Sequence, residues 1–281
     1  MKVTIIGLGL MGGSLALALK QKGFSNHIIG VDKNTQHCDE ALKLNLVDEI
    51  KPLEEAISIS DIIVVATPVA ASITIISSAL DLMNNEQIII DLGSTKGELC
   101  NHLSNHPNRA QYVAAHPIAG TENSGPQSAI NDLYDNKKVV ICEKNESTDE
   151  ALSIALKMFN TIGMSVVFMP PKEHDKHLAY ISHLSHVSSF ALGLTVLDLE
   201  KDEKNIFNLA GSGFSSTARL AKSSPKMWES IVMQNKTHLL PAITAYIEHL
   251  EQLKNDIEEN NSEGLINSMK KANEIRKIIK N

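Results

Sequence analysis

Gly7-Leu8-Gly9-Leu10-Met11-Gly12 follows directly on the apolar run Val3–Ile6 and opens the amphipathic stretch Met11–Lys22. The spacing is G-x-G-x-x-G in the context that gives it meaning, after a strand and at the start of a helix. The first glycine permits a tight turn, the second lets the backbone approach a pyrophosphate, and the third lets helix and strand pack closely. Free N–H groups at the helix start, with the helix dipole behind them, face an anion. Asp32 stands at the end of the next apolar run, His27–Val31, twenty residues beyond Gly12. An acid there accepts the 2′- and 3′-hydroxyls of a ribose and repels a 2′-phosphate. The segment therefore predicts a site for NAD in preference to NADP, a preference softened by the adjoining Lys33. The cofactor residues are Gly7, Gly9, Leu10, Met11, Gly12 and Asp32, with Thr67 and Pro68 from further along the same rim.

Working outward, further apolar runs recur at Asp61–Ala66, Gln87–Asp91, Gln111–Ala115, Lys137–Cys142 and Ser165–Phe168, with helical stretches such as Pro68–Met83 and Asp149–Ile162 between them. Continuous β-branched runs separated by helices indicate a parallel sheet covered on both faces. This is the doubly wound α/β plan, a Rossmann domain. Pro170-Pro171 breaks the alternation, and from Glu173 onward helical periodicity takes over. The expectation is a Rossmann domain over 1–169 and an all-helical domain over 170–281. Within the latter, Ser224-Pro225 reads as an N-cap with proline at the first helical position. Pro241 is expected to kink or end that helix. Ser262–Lys280 reads as a charged helix with Leu265, Ile266, Met269, Ala272 and Ile275 along one side.

Totals agree with two domains. The chain has 281 residues, a net charge of −7 and three cysteines, Cys38, Cys100 and Cys142, with no CxxC spacing. An acidic balance argues against nucleic acid, which needs a basic face, and an odd cysteine count argues for a reducing compartment, hence a cytoplasmic protein. Lys2 and the apolar stretch through Leu19 imitate a secretory signal, but Gly7, Gly9, Gly12 and Gly13 make a poor signal core. The segment is read as mature structure. No run approaches the roughly 18–20 apolar residues that span a bilayer, so no membrane partner is expected.

In open α/β sheets ligands bind beyond the carboxyl ends of the strands. Thr67-Pro68, Ser94 and His116-Pro117 each follow an apolar run and so share that rim. Each has a plainer reading as well. Thr67 suits an N-cap, Ser94 or Thr95 suits another with Thr95 and Glu98 forming a capping box, and a histidine before proline suits a turn. Their common placement favours chemistry. His116 is the acid/base candidate, because oxidising a carbon that bears a hydroxyl requires that hydroxyl to lose its proton. Ser94 is placed to bond the same hydroxyl or to orient the imidazole.

Asp91-Leu-Gly-Ser94-Thr-Lys96, His116-Pro-Ile-Ala-Gly120-Thr-Glu122-Asn-Ser-Gly125, Ser182-His183-Leu-Ser-His186, and Gly211-Ser-Gly-Phe214 running to Thr217-Ala-Arg219 and Trp228 resemble, in order, the prephenate dehydrogenase family. The resemblance implies NAD-dependent oxidative decarboxylation of prephenate to 4-hydroxyphenylpyruvate, or of arogenate, in tyrosine biosynthesis. It implies His116 as acceptor of the 4-hydroxyl proton, Ser94 as its assistant, Arg219 as partner of a substrate carboxylate in a dry pocket, and His183 and His186 as pocket lining. It also implies the monofunctional form, with any tyrosine inhibition acting at the active site. Ser185 stands where the family often has proline, and Ser212 and Ser216 interrupt a loop that is frequently glycine-rich and acidic. Three other readings remain open at this level. His174, His177, His183 and His186 form two H-x-x-H pairs that suit a metal, although NAD chemistry needs none and none is expected. A different small hydroxyacid dehydrogenase would share the architecture. A non-catalytic NAD sensor would want a basic nucleic-acid motif, which the chain lacks. The apolar stripes of the last helices point to a homodimer.

Overall fold

The computed structural model describes residues 1–202 and 206–278. Eight strands form one sheet: β1 (Lys2–Ile6), β2 (His27–Val31), β3 (Glu49–Ile50), β4 (Ile62–Val65), β5 (Ile88–Asp91), β6 (Tyr112–Pro117), β7 (Lys138–Cys142) and β8 (Ser165–Phe168). Their order is β3-β2-β1-β4-β5-β6-β7-β8. Between them lie α1 (Leu10–Gln21), α2 (Thr35–Lys43), α3 (Leu53–Ser58), α4 (Val69–Leu82), α5 (Gly97–Leu103) and α6 (Asp149–Thr161). The two-residue β3 is too short to register as an apolar run. The strand order reverses at β1, which pairs with β2 on one side and β4 on the other.

The parallel order expected from the runs holds through β6. β7 then departs from it, running antiparallel with His116 opposite Val140. A parallel return needs a crossover, usually helical. The chain between Pro117 and Lys138 holds only a single 3₁₀ turn, Pro126–Ser128, and folds over the start of α1 instead, where the Tyr134 hydroxyl donates to the Met11 carbonyl at 2.7 Å. The next connection carries α6, and β8 is again parallel to its neighbour.

Alternation along the strands divides the core. On β4, Ile62 and Val64 join α1 and α6 residues such as Leu15, Leu19, Met158 and Phe159. Ile63 and Val65 join Ile57 of α3, Ile76 and Leu80 of α4, and Leu99 of α5 on the opposite face. Each fully buried side chain of this size contributes about 1.5–3 kcal/mol by leaving water.

After Pro170-Pro171 the chain is helical: α7 (Pro171–Leu178), a π-helical turn (Ala179–His183), α8 (Leu184–Asp202), α9 (Ser212–Thr217), α10 (Pro225–Gln234), α11 (Lys236–Glu258) and α12 (Ser262–Ala272). Ser224 occupies the N-cap of α10 with Pro225 behind it, but its side chain makes no capping bond. That helix stops at Asn235, six residues before Pro241, which lies inside α11. The expected break at Pro241 is thus misplaced. As the sixth residue of α11, past the first-turn N–H groups that have no partner within the helix, the proline costs the ladder one backbone bond without ending the helix. Asn261 caps α12 by accepting the Gly264 N–H at 3.0 Å, and a tighter turn, Asn273–Lys277, follows. The expected helix end at Lys280 lies outside the described residues. Contacts group Met1–Asn235 into one compact unit, and a second begins at Lys236. Among the described residues no helix is long and apolar enough to cross a membrane.

Candidate active site

The turn between β1 and α1 sits where the strand order reverses. Gly7 has φ +98°, and a Cβ there would lie 2.7 Å from the Ala66 carbonyl oxygen at the end of β4. A Cβ on Gly12 would run into the Gly7 carbonyl, whereas one on Gly9 would meet nothing within 4 Å. Space therefore opens above the first turn of α1, whose N-cap, Gly9, offers no side-chain acceptor. Leu10 is buried and Met11 half-buried at that turn. Asp32 holds the other side. One of its oxygens accepts the Leu8 N–H at 2.9 Å and the other the Asn34 N–H at 2.9 Å. Uncapped helix donors, open space at Gly9 and a fixed carboxylate at the end of β2 fit a dinucleotide. Thr67 and Pro68 border this turn beyond β4. Pro68 rather than Thr67 takes the N-cap of α4, and the Thr67 hydroxyl bonds the Ser72 hydroxyl at 3.0 Å.

One strand further along, β5 ends in Asp91, whose carboxylate is fully buried. It accepts the Tyr112 hydroxyl at 2.7 Å, the Gly93 N–H at 2.9 Å and the Ala115 N–H at 3.2 Å, and forms an ion pair with the equally buried Lys96. Half-buried Ser94 lies on the loop that these bonds pin. The capping box expected from Thr95 and Glu98 does not form. The Thr95 hydroxyl donates instead to Gln234 at 2.6 Å. The start of α5 is capped from a distance by Asp175 of α7, which accepts the Lys96 and Gly97 N–H groups at 2.9 and 2.7 Å.

His116, on β6, is buried, and its Nδ1 lies 2.7 Å from Nε2 of His174. His174 Nδ1 in turn lies 2.8 Å from an Asp175 carboxylate oxygen. Burial holds the His116 imidazole well below its ordinary value, and His174, Lys96 and His183 add to the effect. His174 is also lowered by burial, against the pull of Asp175. Burial works against the Asp175 anion, but bonds from His174 and the two N–H groups outweigh it and leave the carboxyl below the usual carboxylate range. The relay is therefore two neutral imidazoles ending on an anion. His174 and Asp175 were missed as partners of His116 because they lie 58 residues or more away in sequence.

His183 closes the π-helical turn, a distortion that often marks functional positions. Asn235 donates to both the Asp175 carbonyl (2.7 Å) and His183 Nδ1 (3.0 Å), so the His183 proton sits on Nε2. Burial lowers His183 to about 4. His186 stacks on Trp228, with ring centroids 3.5 Å apart, and it too is lowered by burial. Arg219 follows α9 and departs from expectation. Its side chain is 49% exposed rather than enclosed, and it is held by Glu122 at 2.5 Å. The H-x-x-H pairs split, His174 buried and His177 exposed, and among the described residues no group of three or more His, Cys, Asp or Glu is arranged to hold a metal. The charges of Lys96, on the Ser94 loop, and of His183 both act on His116, and that of Arg219 acts on His186.

Comparison with known proteins gives one consistent result. The family model "Prephenate dehydrogenase, nucleotide-binding domain" matches residues 15–168, and "Prephenate dehydrogenase, dimerization domain" matches residues 170–271. Prephenate dehydrogenase of Bacillus subtilis (strain 168) is 30% identical over 285 residues, covering 98% of this chain and 76% of its own. The crystal structure of prephenate dehydrogenase from A. aeolicus in complex with hydroxyphenyl propionate and NAD+ is similar with a TM-score of 0.90 and 31% identity, covering 100% of this chain and 98% of that one. Synechocystis arogenate dehydrogenase is similar with a TM-score of 0.76 and 27% identity, covering 99% of each chain.

Proposed function

The chain belongs to the prephenate dehydrogenase family, and on that premise we propose that it is an NAD-dependent oxidoreductase that converts prephenate to 4-hydroxyphenylpyruvate. The observation that carries this reading is a buried, neutral His116 at the carboxyl edge of the sheet, backed by His174 and Asp175. Bound NAD supplies a hydride acceptor. His116 takes the proton of the substrate 4-hydroxyl as C4 gives up its hydride, and Ser94 steadies that hydroxyl. Loss of CO2 then restores an aromatic ring and makes the step irreversible. His183 and His186 line the pocket, His183 as a donor through Nε2. Arg219 pairs with a substrate carboxylate that displaces Glu122. Likeness to the Synechocystis enzyme supports arogenate as the second reading. NAD+ reduction measured with prephenate and arogenate side by side tests both, and no turnover of either would overturn the proposal.

In this reading residues 1–169 hold NAD, with Gly7, Gly9, Leu10, Met11, Gly12 and Asp32 around the pyrophosphate and ribose and Thr67 and Pro68 beside them. Residues 170–281 bring the substrate groups and the dimer contact. Exposed Ile247 and Leu250 on α11, and Ile266 and Met269 on α12, support a homodimer through those helices. The reducing pattern of buried, free cysteines supports a cytoplasmic setting.

Two expected results follow from the geometry. Asp32→Ser removes the ribose acceptor and its repulsion of a 2′-phosphate, so KM should rise for NAD+ and fall for NADP+. Unchanged constants for both would remove Asp32 from the site. Arg219→Ala should lower kcat/KM for prephenate by roughly ten- to a hundredfold, the range of a charged hydrogen bond in a half-exposed setting. The Kd for NAD+ should hardly move, and turnover close to wild type would assign the carboxylate to another group.

A further inference from the structure

Asp175 makes more contacts than a helix cap requires. Two N–H groups at the start of α5 already complete such a cap, yet one of the same oxygens also meets His174, and the Asp175 carbonyl accepts the amide that bonds His183. We propose that Asp175, acting through His174, is the positioning group that decides which nitrogen of His116 carries the proton, and that it ties the Ser94 loop to that setting. The inference rests on the reading of His116 as the base and names what makes it one.

The order of protons follows from donors and acceptors. A carboxylate accepts only, so His174 Nδ1 carries the hydrogen that lies between it and Asp175. Neutral His174 then offers a lone pair at Nε2. His116 Nδ1, 2.7 Å away, must donate to it, which leaves His116 Nε2 unprotonated and able to receive a proton. Lys96 and His183 also face His116, and Lys96 and Asp91 also face His174. Their charges act on both rings, but the hydrogen bonds that fix the tautomer run through Asp175. The same carboxylate holds the N–H of Lys96, two residues after Ser94, so base and Ser94 loop share one anchor.

Asparagine at position 175 should reverse the order. Its oxygen can keep the Gly97 N–H, while its NH2, in place of the oxygen that serves both His174 and the Lys96 N–H, gives up the Lys96 bond, donates to His174 Nδ1, moves the His174 hydrogen to Nε2 and so places the His116 hydrogen on Nε2. The test uses the full chain with NAD+, labelled with 15N in its histidines, and His116 is identified by its disappearance in His116→Asn. Imidazole 15N shifts report the tautomer directly, and steady-state kinetics with prephenate report the consequence. In wild type, His116 should be protonated at Nδ1. In Asp175→Asn it should be protonated at Nε2, with kcat lowered roughly ten- to a hundredfold, as for loss of an outer partner that orients a histidine, and KM and the Kd for NAD+ close to wild type. His174→Gln keeps the polarity of the relay, its NH2 toward Asp175 and its carbonyl toward His116, and should retain most of the activity that His174→Leu loses. An unchanged His116 tautomer in Asp175→Asn, or equal activity of the Gln and Leu variants, would overturn the proposal. If Asp175→Asn does not fold, the His174 pair decides. If wild type turns over neither prephenate nor arogenate, the functional reading fails while the 15N shifts still decide the relay.

Discussion

Replacing His116 with asparagine should lower kcat by ~10²–10⁴-fold, the range for loss of a positioned proton acceptor, and leave the Kd for NAD+ nearly unchanged. The pH profile sharpens the expectation. His116 is held well below its ordinary value by burial, then by His174, Lys96 and His183. The base works when neutral, so the rate should stay level as pH falls through about 6.5, the value of a free histidine, and drop only beneath it. That acidic limb belongs to His116 and should vanish in the asparagine variant. Survival of both rate and limb would move the base elsewhere. His183 is a poor substitute, since Asn235 occupies its Nδ1 and its Nε2 bears the proton.

The second large effect is on stability. Lys96 and Asp91 pair with no exposure of either side chain. Lys96→Met strands a buried carboxylate that retains the Tyr112 hydroxyl and two N–H groups but no cation. Breaking one side of such a pair costs about 3–5 kcal/mol. Urea unfolding at neutral pH should show a midpoint lowered accordingly with little change in slope. Combining Lys96→Met with Asp91→Asn should recover much of the loss, because the uncompensated charge is then gone. A single variant as stable as wild type would show that the pair contributes only its shape.

Much of the nucleotide-binding half was legible because its signals are local. Gly7, Gly9 and Gly12 report a turn, Asp32 reports a strand end, and continuous apolar runs report strands covered on both faces. The antiparallel β7 was not legible, since its run of residues reads the same in either direction and only the missing crossover helix before it betrays the reversal. The candidate site divides in the same way. His116 and Ser94 announce themselves by following apolar runs. Their partners do not: Asp175 and His174 look like one more polar patch on a charged helix, and Asn235 like a helix end. Glu122 lies in the stretch that follows His116, yet nothing in a sequence says that it reaches Arg219 across 97 positions. Pro241 misled because a proline early in a helix and a proline that ends one share the same letter.

The π-helical turn at Ala179–His183 has a consequence for angular phase. α7 and α8 flank it without interruption, so His174 and His183 belong to one continuous helical run. In an unbroken α-helix a residue turns about 100°, and nine residues would set the two imidazoles about 180° apart, on opposite sides. Absorbing one extra residue in a π turn leaves an effective separation of eight, or about 80°. Both histidines then fall within one quadrant, and Asn235 can join the Asp175 carbonyl, beside His174, to the His183 ring. The added residue thus acts as a phase correction. Deleting one position between Ala179 and Ser182 would relax the turn to ordinary α-helix and keep both rings in place, whereas inserting one there would swing them apart.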